Sequence, residues 1–384
     1  MKILHLCLAN FYIDNYTYQE NLLPRMHKRL GHEVMILAST ETFVNGKHLG
    51  YLEPSEYVNE DGIPVKRLPY VSWLPPKAAH KLRIYPDVYK SIESFAPDFI
   101  FMHDVQTLSM KSVIRYVKDH HIKIVADCHA DFSNSANTFL SRWLLHEMIY
   151  KPVVRKAEPT IERFYGTLPA RVDFLKNVYG IPADKVSFLP MGVDDDLAQK
   201  YSTPEKRNEI RGKYSVSPAD FLIVTGGKID LAKTQTLLLM KAVRKINNPK
   251  VKLLIFGSIV DELKGEFDLL CNDNIKYAGW AKEADAYAYF SAADLVCFPG
   301  RHSVYWEQAV GLGKPIIAKE WNGTTHVDLG GNAIFLHDDS IEEIETALEK
   351  VINNENLLKN MKAVSETKGK KFFSYMDIAQ RCIE

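Results

Sequence analysis

Two lysines beside a pair of glycines form the first candidate site in the sequence. Residues 224–234 read Val-Thr-Gly-Gly-Lys-Ile-Asp-Leu-Ala-Lys-Thr, so that Gly227 ends an apolar run and Lys228 and Lys233 follow it. Glycines after a strand let a ligand approach the backbone closely. Two ammonium groups beside the start of a helix create a positive field that suits a diphosphate. The segment predicts a diphosphate site, although two solvated lysines on a surface loop would have the same spacing.

A second segment again places the start of a helix after a strand. From residue 298 it reads Phe-Pro-Gly-Arg-His-Ser-Val-Tyr-Trp-Glu-Gln-Ala-Val-Gly-Leu-Gly-Lys-Pro. Ser303 is a favourable N-cap for a predicted helix over Val304–Leu312, which Gly313 ends. The free N–H groups of His302–Val304 could then hold phosphate oxygens.

Glu307 and Gln308 lie about one turn into that helix. Their side-chain oxygens could accept hydrogen bonds from ribose hydroxyls. Taken alone, Glu307 is better interpreted as a solvated helix carboxylate, and His302 as an ordinary loop histidine. The two segments together favour a nucleotide-binding interpretation.

Polar residues also end strands in the first half of the chain. His129 and Asp131 follow one strand, and a histidine there could hydrogen-bond an incoming sugar or a leaving oxygen. His103 ends the preceding strand and could line the same cleft. The alternative is that these strand-end groups are satisfied by neighbouring loops.

The loop after the first strand supplies further candidates, Asn15 and Tyr16, which with Asp131 could line the same cleft. Gln19 and Glu20 could also face the cleft, but solvated positions in the first turn of a helix are the better interpretation.

The segment Asp194–Asp196 has an Asp-x-Asp pattern that some metal-dependent enzymes use. A capping or solvated role is favoured here. The two lysines and a helix terminus could neutralise a diphosphate, so we predict no catalytic metal and no cofactor.

These residues are positioned by two alternating series of strands and helices, the pattern of parallel sheets covered by helices. The predicted strands are Ile3–Ala9, Val34–Ala38, Phe99–Met102, Ile122–Ala126, Val186–Leu189, Phe221–Val224, Val251–Phe256, Ile275–Tyr277, Leu295–Phe298 and Pro315–Ala318. The predicted helices are Gln19–Leu30, 109–119, 137–157, 234–246, 283–291, 303–312 and 340–353, and 197–220 is predicted as a polar connection.

The pattern predicts an α/β protein of two Rossmann-like domains facing across a cleft. The predicted domains are 1–196 and 197–365, with a helix in 366–384 that returns to the first domain. A length of 384 residues fits two domains of ordinary size.

Composition excludes several classes of protein. There are 48 basic and 48 acidic residues, so the chain lacks the basic excess of a duplex nucleic-acid binder. The five scattered cysteines contain no Cys-x-x-Cys pair, which argues against a disulfide scaffold and favours a reducing compartment. No apolar run approaches the roughly 20 residues of a membrane-spanning helix. We therefore expect a cytoplasmic protein.

Two surfaces could still lie on an anionic membrane. One is the aromatic and basic stretch 139–156, and the other is the cluster of Lys77, Lys81 and Arg83 near Trp73. An ordinary amphipathic helix packed on the sheet is the favoured interpretation of the first.

Over nearly its whole length the chain resembles the retaining nucleotide-sugar glycosyltransferases of the GT-B fold, family 4. The resemblance rests on the order and spacing of the segments Lys2–Leu6, Leu30–Val34, Phe188–Asp194, Gly227–Lys233, Leu253–Gly257 and Ala293–Pro299. It implies transfer of a sugar from a nucleotide-diphosphate donor to a glycan or lipid-linked acceptor, with retention of configuration and without a metal. It also implies that domain 1–196 is the acceptor side, with Asn15, Tyr16 and Asp131 as candidates there, and that domain 197–365 binds the nucleotide sugar. It also implies that His129, rather than His103, contacts the donor sugar.

The sequence departs from the family at its two spaced glutamates. Gln308 occupies the second glutamate's position and Gly300 the first, so that Glu307 could replace the second, and Arg301, His302 or Ser303 the first. His326 stands where the family often has a glutamate. Asp14 and Asn15 stand where the family often has two glycines.

The sequence thus predicts a metal-independent hexosyltransferase of cell-surface polysaccharide synthesis, with His129, Lys228 and Lys233 as its catalytic residues. Two alternatives remain open. One is another enzyme of the same architecture, such as a sugar-nucleotide epimerase or a phosphorylase. The other is a non-catalytic glycosyltransferase-like subunit.

Overall fold

The computed structural model describes residues 1–44, 48–131 and 141–384. These residues form two compact units. The N-terminal unit comprises Met1–Pro190 and Ile378–Glu384, and the C-terminal unit comprises Met191–Asp377. These bounds differ from the predicted domain limits. Val193 exchanges backbone hydrogen bonds with Phe373 and Tyr375, so the chain around Val193 and the chain around Ser374 both belong to the C-terminal unit.

The N-terminal unit is built on a sheet whose described strands run in the order β10-β9-β8-β7-β1-β2-β6-β5. Neighbouring strands are parallel except for the pair β5 and β6. A separate antiparallel pair, β3 and β4, lies outside this sheet. The strands are β1 (Lys2–Cys7), β2 (Glu33–Ser39), β3 (Glu41–Val44), β4 (His48–Tyr51), β5 (Ser55–Val58), β6 (Pro64–Leu68), β7 (Phe99–Met102), β8 (Lys123–Cys128), β9 (Arg163–Gly166) and β10 (Val186–Phe188).

Helices connect these strands, as parallel neighbours require. They are α1 (Gln19–Arg29), α2 (Pro76–Leu82), α3 (Val88–Phe95), α4 (Met110–His120), α5 (Lys151–Ala157) and α6 (Pro169–Asn177), with a π-helical stretch Ser141–Tyr150 leading into α5. The central strands β1 and β7 are almost entirely buried. Strands that are covered on both faces read as continuous apolar runs, which is why their sequences predicted them.

The C-terminal unit is built on a parallel sheet with the strand order β13-β12-β11-β14-β15-β16. Its strands are β11 (Phe221–Gly226), β12 (Val251–Phe256), β13 (Ile275–Tyr277), β14 (Leu295–Phe298), β15 (Ile316–Lys319) and β16 (Ala333–Leu336). Its helices are α7 (Asp195–Tyr201), α8 (Pro204–Lys213), α9 (Gln235–Ile246), α10 (Asp261–Leu270), α11 (Glu283–Ala292), α12 (Tyr305–Gly311), α13 (Ile341–Ile352), α14 (Glu355–Val364) and α15 (Lys370–Phe372), and α16 (Tyr375–Arg381) leads back to the N-terminal unit.

Two parallel, Rossmann-like α/β sheets are therefore present, as the sequence predicted. The predicted connection 197–220 is wrong, because α7 and α8 occupy most of it. Asp194 begins α7 by accepting hydrogen bonds from the backbone N–H groups of Asp196 and Leu197, which is the capping role favoured for this segment. Within the predicted helix 137–157, residues 137–140 lie outside the described residues. Among the described helices, none is both long enough and apolar enough to cross a bilayer.

Candidate functional site

In the loop between β11 and α9, Lys228 and Lys233 both interact with the carboxylate of Asp230. Lys228 Nζ lies 3.2 Å from an Asp230 carboxylate oxygen. The hydrogen bond from Lys228, together with the charges of both lysines, lowers the pKa of the Asp230 carboxyl, although partial burial opposes it. The Lys228 side chain is 61 % exposed, so its ammonium group remains accessible. The two predicted cations therefore lie in one loop at the carboxyl end of β11, with Asp230 between them as a partner that the sequence argument missed.

The glycines of this loop have a packing role. A Cβ at Gly226 would approach the ring of Phe256 to 2.1 Å, and one at Gly257 would approach the carbonyl oxygen of Gly227 to 1.9 Å. Gly227 itself has φ 128°, a conformation that side chains rarely adopt. Close packing at the ends of β11 and β12 therefore explains why residues 226 and 257 are glycines. A Cβ built at Gly227 would have no atom within 4 Å, so at that position the conformation and not packing favours glycine.

The loop after β14 lies beside the start of α9. A Cβ built at Gly300 would lie 3.3 Å from the side-chain oxygen of Gln235, the first residue of α9. The indole N–H of Trp321, after β15, donates to the carbonyl oxygen of Gly300 at 3.2 Å. The carboxyl ends of β11, β14 and β15 thus meet at one edge of the sheet, where ligands of parallel α/β proteins bind.

Glu307 is fully buried and is held by two histidines. His302 Nε2 lies 2.9 Å and His326 Nε2 lies 2.8 Å from the same Glu307 oxygen. Burial alone would raise the pKa of the Glu307 carboxyl, but the two histidines outweigh it and hold that pKa well below its usual range. The interpretations of Glu307 as a solvated helix residue and of His302 as an ordinary loop histidine are therefore wrong. The contact with His326, 19 residues away, could not be found from spacing alone.

The chemistry of this histidine–glutamate cluster also matches a metal site. The ligand atoms of His302, Glu307 and His326 lie within 4.8 Å of one another. Two imidazole nitrogens and one carboxylate oxygen are donors that divalent transition metals accept. The two short contacts are equally explained as hydrogen bonds in which each imidazole N–H donates to the carboxylate.

Gln308, in the position of the family's second glutamate, is buried beside this cluster. Its side-chain oxygen has no hydrogen-bond partner among the described residues. The predicted N-cap role of Ser303 is wrong, because α12 begins at Tyr305 and Val304 holds the N-cap position without a side-chain hydrogen bond. The backbone N–H groups of His302, Ser303 and Val304 find no backbone acceptor within the described residues.

In the N-terminal unit, Asp127 on β8 contacts the predicted site residue His129. His129 Nε2 lies 3.3 Å from an Asp127 carboxylate oxygen, and the side-chain amide of Gln19 donates to that oxygen at 2.8 Å. Burial alone would lower the pKa of His129, but Asp127 raises it above its usual value. Burial opposes ionisation of Asp127 in turn, and His129 and His103 hold its pKa well below its usual range.

Behind Asp127 runs a buried row of three imidazoles. His27 Nε2 lies 2.9 Å from the carbonyl oxygen of Ala379, and His27 Nδ1 lies 2.9 Å from His5 Nε2. His5 Nδ1 lies 3.0 Å from His103 Nε2, and His103 Nδ1 is 3.5 Å from Asp127. Because a carbonyl oxygen only accepts, His27 must carry its proton on Nε2. His5 then donates from Nε2 to His27 Nδ1, and His103 donates from Nε2 to His5 Nδ1. The row connects the C-terminal segment of the chain to the group that holds His129.

The acceptor-side candidates are engaged within the unit. Asn15 has φ 61°, the left-handed conformation that asparagine tolerates, and its N–H donates to Glu60. The Tyr16 ring lies 5.1 Å from that of Tyr18. Asp131 lies 3.3 Å from Arg171 Nε.

Gln19 and Glu20 are buried rather than solvated, which corrects the sequence interpretation. Glu20 accepts a hydrogen bond from the Asn10 side chain at 2.6 Å, and the same oxygen lies 3.9 Å from His129 Nε2. The first turn of α1 therefore helps to enclose His129.

Two family models match the sequence. Glycosyltransferase Family 4 matches residues 17–197, and Glycosyl transferases group 1 matches residues 220–354. No curated protein matches the chain by sequence.

Solved structures match the whole chain in fold. A glycosyltransferase from Rickettsia africae has 14% identity and a TM-score of 0.68, covering 100% of this chain and 96% of its own. HepE from Anabaena in complex with UDP has 17% identity and a TM-score of 0.66, covering 100% and 98%. A UDP-GlcNAc 2-epimerase from Neisseria meningitidis bound to UDP-GlcNAc has 10% identity and a TM-score of 0.64, covering 100% and 98%. At these identities the likeness establishes the fold of this chain, and enzymes of more than one activity share it.

Proposed function

The chain belongs to the family 4 type of GT-B glycosyltransferases, and we propose that it transfers a sugar from a nucleoside-diphosphate donor to a hydroxyl group of a glycan or lipid-linked glycan with retention of configuration. The observation that carries the proposal is the pair Lys228 and Lys233 around Asp230, at the carboxyl edge of the C-terminal sheet. The UDP and UDP-GlcNAc that two neighbours of the same fold bind support a nucleotide sugar as donor.

The chemistry that these residues would supply is stabilisation of the leaving group. As the bond to the anomeric carbon breaks, the sugar gains oxocarbenium character and negative charge grows on the diphosphate. Ammonium groups and backbone N–H groups that are already in place stabilise that charge without reorganisation. We assign this role to Lys228, Lys233 and the N–H groups of His302–Val304, with Gly227 leaving the backbone open to the phosphates.

Glu307 or Gln308 is assigned to the ribose. One Glu307 oxygen accepts from His302 and His326. The second Glu307 oxygen and the Gln308 side-chain oxygen are both buried without a hydrogen-bond partner among the described residues, so either could accept a hydrogen bond from a ribose hydroxyl. Glu307 also fixes His302 beside the start of α12.

His129 is assigned to the donor sugar or the acceptor hydroxyl. Its pKa is raised by Asp127, so it would donate a hydrogen bond over a wider range of pH than a free imidazole. We name no protein nucleophile, because Asp127 and Glu307, the fully buried carboxylates of the two candidate sites, are both engaged by histidines.

Transfer is proposed to need no metal, since the lysines can neutralise the diphosphate. The histidine–glutamate cluster of His302, Glu307 and His326 is a candidate metal site, so the effect of metal removal can be tested. We expect turnover to be unchanged by a chelator and not to rise when Mn²⁺ or Zn²⁺ is added back. Loss of activity with the chelator, restored by one of these ions, would contradict metal independence.

The proposed function is tested by a thermal-shift screen against UDP, GDP and their sugars, followed by an assay of nucleotide release. We expect one nucleotide class to raise the melting temperature, and free nucleotide to form only when an acceptor is present. An epimerase would convert the sugar nucleotide without an acceptor, and a non-catalytic subunit would bind it without turnover.

The site of action is proposed to be the cytoplasm, at the inner face of the membrane, in synthesis of a cell-surface polysaccharide. All five cysteines are free thiols, which suits a reducing compartment.

A further inference from the structure

Two adjoining cavities in the N-terminal unit have no role in the donor chemistry. The first has a volume of about 420 Å³ and the second about 400 Å³. Tyr51 and His80, whose rings lie 4.1 Å apart, line both cavities and separate them. They can therefore be treated as two chambers of one site, which we call the basic chamber and the apolar chamber.

The chambers lie where the strands of the N-terminal sheet end. Glu41 in the basic chamber follows β2, the segment Pro69–Ser72 of the apolar chamber follows β6, and Gln106 of the basic chamber follows β7. The carboxyl ends of parallel strands are where such sheets bind ligands.

Hydrogen bonds connect the basic chamber to the residues that hold His129. The Gln106 side-chain amide donates to the Asp104 carboxylate at 3.2 Å. The Asp104 N–H in turn donates to Asp127 at 2.7 Å. Two hydrogen bonds therefore link the chamber to Asp127, which contacts the predicted catalytic residue His129 in the same unit.

The basic chamber carries an excess of positive charge. Lys77, Lys81 and Arg83 line it, against one carboxylate, Glu41. Neither Lys77 nor Lys81 has an ion-pair partner among the described residues, and both are exposed. Arg83 donates one of its N–H groups to the carbonyl oxygen of Gln106 at 3.3 Å and retains others. Arg83 also interacts electrostatically with Asp104 and Glu41. The unpaired charge of this concave surface therefore comes from Lys77 and Lys81, which suit a phosphate-type anion.

The backbone of this chamber is fixed by buried contacts. The Tyr150 hydroxyl donates to the carbonyl oxygen of Lys81, and the Thr107 hydroxyl donates to that of Arg83. Arg83 ends α2 in the left-handed conformation, with φ 52°. The cations are therefore presented by an ordered turn.

The second chamber is apolar. Leu52, Pro54, Val71, Leu74 and Pro76 contribute to its walls. An apolar surface of this size beside a cationic one has no partner within the described part of the unit. It suits a hydrocarbon chain attached to the anion that binds in the basic chamber.

We propose that the two chambers form an acceptor subsite for an amphiphile, in which a phosphate-type anion binds between Lys77, Lys81 and Arg83 and an attached hydrocarbon chain binds in the apolar chamber. This inference rests on the proposed function, because it assigns the class of acceptor. The charge excess and the adjoining apolar walls favour a lipid phosphate over a free phosphorylated sugar.

Binding of three probes to the full chain tests the proposal by calorimetry. Farnesyl phosphate, below its critical micelle concentration, carries both features, farnesol carries only the chain, and inorganic phosphate carries only the charge. We expect farnesyl phosphate to bind at least 10-fold more tightly than either of the others. If farnesol binds as tightly as farnesyl phosphate, the proposed role of the basic chamber is wrong. If inorganic phosphate binds as tightly, the proposed role of the apolar chamber is wrong.

Variants locate the binding. Lys77→Ala combined with Lys81→Ala should weaken farnesyl phosphate binding by 10-fold or more, and Leu74→Asp should weaken it similarly. The matched control is Lys111→Ala with Lys118→Ala, two exposed lysines of α4 that line neither chamber. Unchanged affinity in the first two variants, or an equal loss in the control, would overturn the assignment, as would binding to anionic vesicles without binding of the monomeric probe.

Thermal shifts with UDP and with GDP separate this inference from the proposed function. A chain that responds to either nucleotide and does not bind farnesyl phosphate would retain the donor proposal and lose the acceptor subsite. A chain that binds farnesyl phosphate and responds to no nucleotide would retain the subsite as a lipid-phosphate site and lose the glycosyl-transfer function.

Discussion

At the scale of single residues, the proposed function depends on positive charge near the leaving diphosphate. The position of Lys228 and Lys233 in one loop was predictable because both follow a strand and two glycines. Asp230 between them, and the histidines around Glu307, were not. A residue's type gives its possible chemistry, but the partner that fixes its geometry is often distant in the sequence, as His326 is from Glu307.

Replacing either lysine tests its role in the transfer step. Lys228→Ala and Lys233→Ala should each lower kcat by about 10²-fold, the order expected when a preorganised charge is removed from a developing anion. Steady-state kinetics with the donor and acceptor found in the nucleotide screen measures this. The matched control is Lys250→Ala, an exposed lysine just before β12, which should keep normal turnover. Near-normal rates in the folded double variant would contradict the assignment.

Glu307 should contribute more to stability than an exposed glutamate does. Glu307→Gln removes the charge that His302 and His326 share in a buried site, and breaking a buried pair of this kind costs roughly 3 kcal/mol. Urea unfolding at pH 7 measures the loss, with the exposed Glu355→Gln as control. Equal stabilities of the two variants would show that the cluster is not the buried ionic network described above.

At the scale of secondary-structure elements, buried strands were predictable and polar helices were not. The bounds of β7, β12, β13 and β14 agree with the predicted runs. For β7 and β14 the reason is that strands covered on both faces have nearly continuous apolar sequences. The helix α8 was missed because its sequence is strongly polar, although Thr203 caps it and Pro204 occupies its first turn. Capping residues were a better signal there than hydrophobic periodicity.

The row of histidines makes the N-terminal unit sensitive to acid. Burial lowers the pKa of His27 to about 4. Because the unfolded chain takes up this proton near pH 6.5 and the folded chain does not, the free energy of unfolding should fall by roughly 3 kcal/mol between pH 6.5 and pH 4 for this residue alone. His5, whose pKa burial also lowers, should add to the effect in the same direction.

Chemical denaturation at several pH values measures this dependence. The loss should begin above the range in which carboxylates such as Asp127 and Glu307 are protonated on unfolding, so the two effects can be separated. His27→Gln should flatten the curve between pH 6.5 and pH 4, and the exposed His120→Gln should leave it unchanged. A His27→Gln curve parallel to that of the wild type would contradict a neutral, buried His27.

At the scale of the whole molecule, the sequence identified two parallel α/β units and the family to which they belong. The order and spacing of short motifs carried that conclusion, since each motif alone was a moderate signal. The proposed acceptor subsite was predictable only in part. The cluster of Lys77, Lys81 and Arg83 near Trp73 lies in one stretch and was identified from the sequence. The other walls of the chambers come from segments that follow β2, β6 and β7, and no single stretch of sequence contains them.

The central claim is that the C-terminal unit holds a nucleoside diphosphate through Lys228 and Lys233. Calorimetric titration of UDP and GDP into the wild type and into the Lys228→Ala/Lys233→Ala double variant, at low and at high salt, tests it most directly. We predict that one nucleotide binds the wild type, that the double variant binds it at least 10-fold more weakly, and that salt weakens wild-type binding more than that of the variant. Equal affinity and equal salt dependence in the two proteins would contradict the claim.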